Sequence, residues 1–163
     1  MRNIFVISDT HFGHSNIIKY CKRPFSSVEE MDECLISNWN KEVSDQDIIY
    51  HLGDVYMGPQ KSDFFHRLKG RKRLILGNHD NGKDQKLQTM FQKIMVWRMF
   101  PEFGVLLSHI PLHPSSLPAK APINIHGHIH NKQAPGAQYR NVSVEMINYT
   151  PISIEEIRDA KES

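Results

Sequence analysis

The chain has 163 residues, of which 39% are hydrophobic and 23% charged, and its formal net charge is +2. This composition predicts a single globular domain over residues 1–163 and excludes a disordered chain. The small net charge gives no indication of stable binding to nucleic acid.

The predicted strands and helices first alternate along the chain. Apolar runs bounded by glycine or polar residues predict strands, and apolar residues at helical spacing after capping boxes predict helices. In chain order, these elements are a strand at 3–8, a helix at about 27–42, a strand at 47–52, a short helix from Ser62 to Lys69, a strand at 73–76 and a helix at about 84–94.

Strands predominate in the rest of the chain. They are predicted from Ile94 to Phe100, from Val105 to Ser108, at 122–126 and at 141–147, and Ser153 caps a last helix. The proline-rich segment 110–122 is predicted to be an ordered loop. Alternation followed by consecutive strands predicts a sheet with parallel parts and an additional antiparallel part, in two sheets packed together.

Neither a targeting segment nor a membrane span is visible in the sequence. Met1-Arg2-Asn3 leads directly into a strand, and no apolar run is long enough to cross a bilayer. The two cysteines, Cys21 and Cys34, lack the spacing of a zinc-binding pair and are interpreted as reduced thiols. We therefore expect a cytoplasmic protein without a membrane partner.

Five of the strand-like runs end on side chains that bind divalent metals. Asp, Asn and His supply oxygen and nitrogen ligands, and in open α/β sheets ligands bind beyond the carboxyl ends of the strands. We expect these five ends to converge, with Asp54 near the middle. In chain order, the polar residues at the ends are Asp9 and His11, then Asp54, then Asn78, His79 and Asp80, then His109, then His128 and His130.

The same residues form an ordered set of motifs. They are Asp9-x-His11, Gly53-Asp54, Gly77-Asn78-His79-Asp80, His109 and Gly127-His128-x-His130. This set resembles the calcineurin-like metallophosphoesterases over most of the chain, and Asp9-Thr10-His11-Phe12-Gly13-His14 is similar to a small bacterial and phage branch of that superfamily. The resemblance implies an α/β fold built as a two-sheet β-sandwich flanked by helices.

The resemblance also implies a role for each motif residue. His79 would be the general acid and would bind no metal, and Asp80 would hydrogen-bond His79 and keep it oriented and protonated. Mn²⁺ is the expected ion, with Fe, Zn, Co or Ni as alternatives. The first metal would be held by Asp9, His11 and His130, the second by Asn78, His109 and His128, and Asp54 would bridge the two.

Phosphodiester hydrolysis needs chemistry that this set can supply. Two divalent cations neutralise the phosphate charge, clamp the attacking and leaving oxygens, and lower the pKa of a bridging water so that hydroxide exists at neutral pH. His128 and His130 would point the same way in extended backbone, so that one could reach each metal. A protonated His79 can supply the proton that a departing alkoxide needs. We therefore expect a metal-dependent phosphoric ester hydrolase.

Three further residues are candidates for substrate binding: His14, His113 and Arg23. His14 follows the first motif, His113 lies in the proline-rich loop, and Arg23 could clamp a phosphate oxygen or be a surface arginine. His51 and His126 lie inside predicted strands and are interpreted as core residues or as supports of the ligands.

The short inserts between the motifs leave no room for a large cap domain, which predicts an open site. We expect a small phosphoester as the partner, with nucleotide-derived or cyclic phosphodiesters preferred over monoesters. The alternatives are a phosphomonoesterase or a nuclease acting at the same site, or a non-catalytic scaffold that keeps the fold. The presence of His79 and of every liganding position favours an enzyme.

Overall fold

The computed structural model describes residues 3–58 and 63–160, and its strands and helices lie within these ranges. The strands are β1 (Ile4–Ile7), β2 (Ile48–His51), β3 (Arg71–Ile75), β4 (Lys93–Met95), β5 (Trp97–Phe100), β6 (Val105–Ser108), β7 (Ile123–His126), β8 (Tyr139–Asn141) and β9 (Ile152–Ser153). The helices are α1 (Ser15–Tyr20), α2 (Val28–Glu42), α3 (Gln85–Met90) and α4 (Ile154–Asp159), and 3₁₀ turns cover Asp63–Arg67, Pro114–Ser116 and Val144–Met146.

The described strands form two sheets. The first has the order β4-β3-β2-β1-β9, in which β1 to β4 are parallel and β9 is antiparallel to β1. The second has the order β5-β6-β7-β8, in which β6 to β8 are parallel and β5 is antiparallel to β6. The predicted α/β fold, with two sheets flanked by helices, is confirmed.

Two hydrophobic layers lie on the two faces of the first sheet. Phe5 and Ile7 of β1 belong to one cluster with Trp39 of α2, whereas Val6 belongs to a second cluster with Leu107 of β6. Successive side chains of a strand point to opposite faces. A strand buried on both faces is therefore an unbroken apolar run, which is how β1 is recognised in the sequence.

Helix α2 begins at the predicted cap and covers the first sheet. Ser27 Oγ accepts a hydrogen bond from the N–H of Glu30 at 3.1 Å, and Glu30 Oε2 accepts one from the N–H of Ser26 at 2.7 Å. Caps of this kind stabilise a helix by about 1 kcal/mol. The helix ends at Glu42, because the backbone becomes extended at Val43.

Several predicted boundaries are wrong around the point where the chain changes sheets. Helix α3 ends at Met90, because Phe91 is already extended and leads the chain back to pair β4 with β3. The strand predicted from Ile94 to Phe100 is two strands, since β4 joins the first sheet and β5 the second. The residues on both sides of Val96 are apolar, so the sequence gives no sign that the chain passes from one sheet to the other at this point.

Other elements also differ from prediction. The strand predicted at 141–147 ends at Asn141, and a 3₁₀ turn follows at Val144–Met146. The short helix predicted from Ser62 to Lys69 is a 3₁₀ helix at Asp63–Arg67, and Ser62 lies outside the described residues. Helix α1 was not predicted, and no side chain caps its first turn. In residues 3–58 and 63–160, no helix is long and apolar enough to span a membrane.

Candidate metal centre

The loops that follow β1, β2, β3, β6 and β7 meet at one edge of the two sheets. The carboxyl ends of neighbouring parallel strands share an edge, and main-chain hydrogen bonds join the loops directly. The N–H of Asp9 donates to the carbonyl of Gly53 at 3.0 Å, and the N–H of Gly127 donates to the carbonyl of His109 at 2.8 Å. The side chains predicted to converge are therefore brought together.

Asp9, His11 and His130 form the first group that could hold a metal ion, and each offers one atom within 4.8 Å of the others. The Nε2 atoms of His11 and His130 are each 3.8 Å from Asp9 Oδ1. Asp9 Oδ1 and His11 Nε2 are buried and have no hydrogen-bond partner. Buried polar atoms are normally paired, so these unpartnered donors of electron pairs fit a cation placed between them.

The other oxygen of Asp9 is fully engaged. Asp9 Oδ2 accepts hydrogen bonds from Ser8 Oγ at 2.6 Å, from the N–H of His128 at 2.8 Å and from Ser143 Oγ at 3.3 Å. Burial alone would raise the pKa of Asp9, but the interactions with His11 and His109 and the hydrogen bonds from Ser8 and His128 outweigh burial and hold the pKa well below its usual range. Asp9 is therefore ionised, with Oδ1 left for a cation.

A second group of ligand atoms consists of Asp54, His109 and His128, again within 4.8 Å of one another. Asn78 Oδ1 lies 2.9 Å from His109 Nε2 and 2.9 Å from His128 Nδ1. His109 Nδ1 lies 2.7 Å from the carbonyl of Leu52, which can only accept, so Nδ1 carries the proton. In the neutral ring, the lone pair of His109 Nε2 then faces the group, as a metal ligand requires.

Asp54 lies between the two groups. Its Oδ2 is 3.6 Å from His11 Nε2 in the first group and 3.5 Å from His109 Nε2 in the second. Its Oδ1 accepts a hydrogen bond from the N–H of His79 at 2.9 Å. This position near the middle of the cluster is the one expected from the sequence.

Five residues of this cluster have left-handed backbone. The φ angle is 57° at Asp9, 50° at His11, 57° at Asp54, 70° at His128 and 50° at His130. Side chains other than glycine rarely adopt this region, at a cost of roughly 1–3 kcal/mol where the backbone is strained. Such strain persists where the surroundings fix it, and it is typical of functional sites.

Two glycines allow the loops to approach the carboxylates. A Cβ atom at Gly77 would collide with Oδ1 and the backbone nitrogen of Asp54, and one at Gly127 would collide with Ser8 Oγ and Asp9 Oδ2. A side chain at either position would push a ligand carboxylate out of place. Glycine is therefore required in these two motifs, because the backbone of each loop lies too close to a carboxylate for a side chain to fit.

Comparison with known proteins identifies the family. The calcineurin-like phosphoesterase family model matches residues 2–158. The chain belongs to this family. It is 42% identical to an uncharacterized protein of Methanocaldococcus jannaschii, over 95% of this chain and 89% of that protein. It is 32% identical to the gene 66 protein of Mycobacterium phage L5, over 80% of this chain and 79% of that protein.

Two solved structures are similar to this calcineurin-like phosphoesterase. A protein of unknown function from Aquifex aeolicus has a TM-score of 0.80 and 29% identity, covering 98% of this chain and 100% of that one. Nuclease MPE of Pseudomonas putida has a TM-score of 0.51 and 20% identity, covering 79% of this chain and 61% of that one, and this likeness shows the fold alone. The resemblance drawn from the motifs is confirmed, and the family implies a metal-dependent phosphoesterase that acts on phosphoesters.

His79 lies beside the ligand groups of this phosphoesterase without belonging to either. The residue is exposed, and its ring lies 5.8 Å from the His11 ring. The expectation that Asp80 holds the His79 ring is wrong. The Asp80 carboxylate instead accepts hydrogen bonds from the N–H groups of Asp54, Gly77 and Val55, at 2.8, 2.8 and 3.1 Å. Asp80 fixes the backbone on either side of the site, and burial raises its pKa despite these three donors.

Arg23 is neither a phosphate clamp nor a surface arginine, which corrects both interpretations of this residue. It is only 4% exposed. Its guanidinium donates to the carbonyls of Asp9 and Thr10, at 2.7 and 2.9 Å, and to Glu145 Oε1. Glu145 was missed altogether, because it lies 15 residues after His130 in a segment predicted to be a strand.

The other two substrate candidates differ in position. His14 is half-buried, with its ring 5.5 Å from the His11 ring and 6.4 Å from the ring of Tyr20, which is 73% exposed. Burial, and then the charges of His11 and Arg23, lower the pKa of His14. His113 is exposed and caps the 3₁₀ turn Pro114–Ser116, so a substrate role for it stays a prediction.

His51 supports the site from the core, in agreement with one of the two interpretations of this residue. Thr10 Oγ1 donates to the carbonyl of Val55 at 2.7 Å, so it accepts from His51 Nε2–H at 2.8 Å. His51 Nδ1 accepts from the N–H of Gly53 at 3.1 Å. The ring is therefore neutral, and burial lowers its pKa to about 3. It ties the residue after Asp9 to the residue before Asp54.

Proposed function

We propose that this phosphoesterase hydrolyses phosphodiesters with two divalent cations, for which Mn²⁺ is the expected ion. The observation that carries the proposal is the pair of ligand groups on either side of the Asp54 carboxylate, with Asp9 Oδ1 and His11 Nε2 buried and unpartnered. Oxygen and imidazole ligands in this number suit Mn²⁺, Fe, Zn, Co or Ni.

In this proposal each side chain has one task. Asp54 would serve both cations through its central carboxylate. When bound, the two cations neutralise phosphoryl charge and lower the pKa of the attacking water. The first cation would be held by Asp9, His11 and His130, and the second by Asn78, His109 and His128.

His79 is proposed to give a proton to the leaving oxygen. Its exposed ring can reach a substrate, whereas its backbone N–H is fixed on Asp54 Oδ1 at 2.9 Å. This bond sets the distance between the acid and the ligand groups without using the imidazole. A correctly positioned general acid accelerates such a step roughly 10²–10⁴-fold.

The charges around the site favour a diester over a monoester. A monoester brings a second negative charge, which an additional cationic side chain near the metals would stabilise. Arg23 was the candidate for this task, but its guanidinium is buried on Glu145 and on two carbonyls. The lowered pKa of His14 keeps that ring neutral at neutral pH. Neither residue supplies the extra charge.

Nucleotide-derived diesters suit the surface beside the first ligand group. Tyr20 presents an exposed aromatic ring next to His14, and His14 lies next to His11. Nucleobases stack on such rings for roughly 1–3 kcal/mol per base. We therefore propose linear or cyclic nucleotide diesters as natural substrates, and a cytoplasmic location in keeping with the unpaired Cys21 and Cys34.

The test is a hydrolysis panel with each candidate metal and with EDTA as the metal-free control. Matched aryl diesters and monoesters, cyclic nucleotides and single-stranded DNA or RNA are compared by kcat/KM. We expect the highest values for diesters with Mn²⁺. A higher kcat/KM for the aryl monoester would reject the diester proposal, and hydrolysis of nucleic acid alone would make the protein a nuclease. Absence of activity with every metal would favour the alternative that the protein is a non-catalytic scaffold.

A further inference from the structure

A carboxylate lies behind one histidine of the first ligand group, whereas a neutral carbonyl lies behind His109 in the second. His130 presents Nε2 toward Asp9 Oδ1, at 3.8 Å, and Nδ1 toward Glu145 Oε1, at 3.1 Å. A carboxylate paired with a guanidinium accepts hydrogen bonds, so His130 Nδ1 carries a proton, and Nε2 is the atom that would bind a cation once the ring is neutral. In the second group, the corresponding partner of His109 is the neutral carbonyl of Leu52.

Glu145 is held in place by Arg23. The guanidinium donates to Glu145 Oε1 from Nε at 2.9 Å and from Nη2 at 2.7 Å, and the two side chains are 0% and 5% exposed. Two N–H groups of one always-charged guanidinium thus meet the same carboxylate oxygen, which is the geometry of an ion pair. The support of His130 is thus a fixed negative charge in the core.

The same guanidinium also holds the backbone of the first group. It donates to the carbonyls of Asp9 and Thr10, where Asp9 has a left-handed φ of 57°. One side chain therefore ties Glu145, and through it the His130 ring, to the segment that carries Asp9 and leads to His11. These contacts join residues 122 positions apart in the sequence.

We propose that Glu145, anchored by Arg23, is a positioning residue that makes the first site the tighter of the two cation sites. The inference rests on the ligand assignment of the proposed function. A carboxylate behind a histidine ligand fixes its tautomer and ring orientation and increases its basicity, and losing such a partner weakens metal binding roughly 10–100-fold. A neutral carbonyl behind His109 gives less basicity, so the cations bind in order.

A cation bound directly by Glu145 is disfavoured by the same contacts. Cys21, His130 and Glu145 also place ligand atoms within 4.8 Å of one another. However, Arg23 Nη2 is 2.7 Å from Glu145 Oε1, so a positive charge already occupies that side of the carboxylate. Oε1 is shared by Arg23 and His130, and the proposal assigns the cation to His130 Nε2.

The experiment is stepwise Mn²⁺ binding by calorimetry to the metal-free protein, with wild type, Glu145→Gln and the exposed control Glu155→Gln. Wild type and Glu155→Gln should bind two ions with separate affinities. Glu145→Gln keeps the shape and an acceptor but loses the charge, and its tighter step should weaken roughly 10–100-fold while the weaker step is unchanged. Unfolding of each variant in EDTA shows whether it is folded.

A second measurement needs no substitution. The ¹⁵N shifts of the histidine rings in Zn²⁺-loaded wild type should show His130 protonated at Nδ1 and bound through Nε2. The opposite tautomer overturns the inference, as does Glu145→Gln with both binding steps unchanged or both weakened equally. Wild type that binds no metal overturns the proposed function as well, whereas two bound ions with an unaffected Glu145→Gln overturn this inference alone.

Discussion

The neutral, buried His51 predicts how the stability of the metal-free protein depends on pH. A proton on Nδ1 would face the N–H of Gly53, which already donates to that atom. The pKa of His51 is therefore about 3 in the folded protein, against 6.5 for an unperturbed histidine. As the pH falls below 6.5, the unfolded chain binds the proton first, so the folded state loses stability.

The size of the effect follows from linkage. Near pH 7.5 an unfolded histidine is mostly neutral, so the lowered pKa of His51 reduces the free energy of unfolding by almost nothing. At about pH 5 the unfolded histidine is almost fully protonated while His51 in the folded protein is not, and the loss is about 2 kcal/mol. A folded pKa anywhere below about 4 gives the same loss at this pH, so the result depends on His51 being neutral and little on the exact value.

The assay is urea unfolding in EDTA near pH 7.5 and about pH 5, for wild type, His51→Gln and His66→Gln. His51→Gln should be less stable near pH 7.5, because it loses contacts to Thr10 and Gly53. Its stability should then fall by about 2 kcal/mol less than that of wild type between the two pH values. His66 is exposed, so His66→Gln should follow wild type. An equal pH dependence of wild type and His51→Gln would refute the reasoning.

Two further predictions concern the proposed active site. Asp54→Ala should lose both cations in elemental analysis, since Asp54 Oδ2 lies within 3.6 Å of a histidine from each group, whereas His11→Ala should weaken mainly one; two ions per chain in Asp54→Ala would contradict a bridging role. His79→Ala should keep its metals and lose roughly 10²–10⁴-fold in rate on diesters with an alkoxide leaving group, and less on nitrophenyl diesters, which need little protonation; equal losses on both would argue against a general acid.

The meeting of the ligand side chains could be predicted from the sequence because it follows from strand direction. Parallel strands carry their carboxyl ends to one edge, so an Asp or His at each end is placed by the topology alone. Asp54 follows β2, which lies next to β1 and β3 in the first sheet, and it is found between His11 and His109.

The supports of the ligands could not be predicted in this way. Arg23 and Glu145 meet across 122 residues, and neither belongs to a strand end. Asp80 follows His79 in the sequence, which suggested a bond between their side chains, yet its carboxylate binds three backbone N–H groups. A local motif shows that a polar group is near the site but does not show which polar partner it will find.

The supports share one property that explains how the strained loops are maintained. Asp80 accepts from the N–H groups of Asp54 and Val55, and Arg23 donates to the carbonyl of Asp9. His51 accepts from the N–H of Gly53. Each of these side chains is at least partly buried and binds the backbone at or beside a ligand with left-handed φ. The cost of this conformation is offset by hydrogen bonds that form in the absence of a cation, so the proposed ligands are positioned before a cation binds.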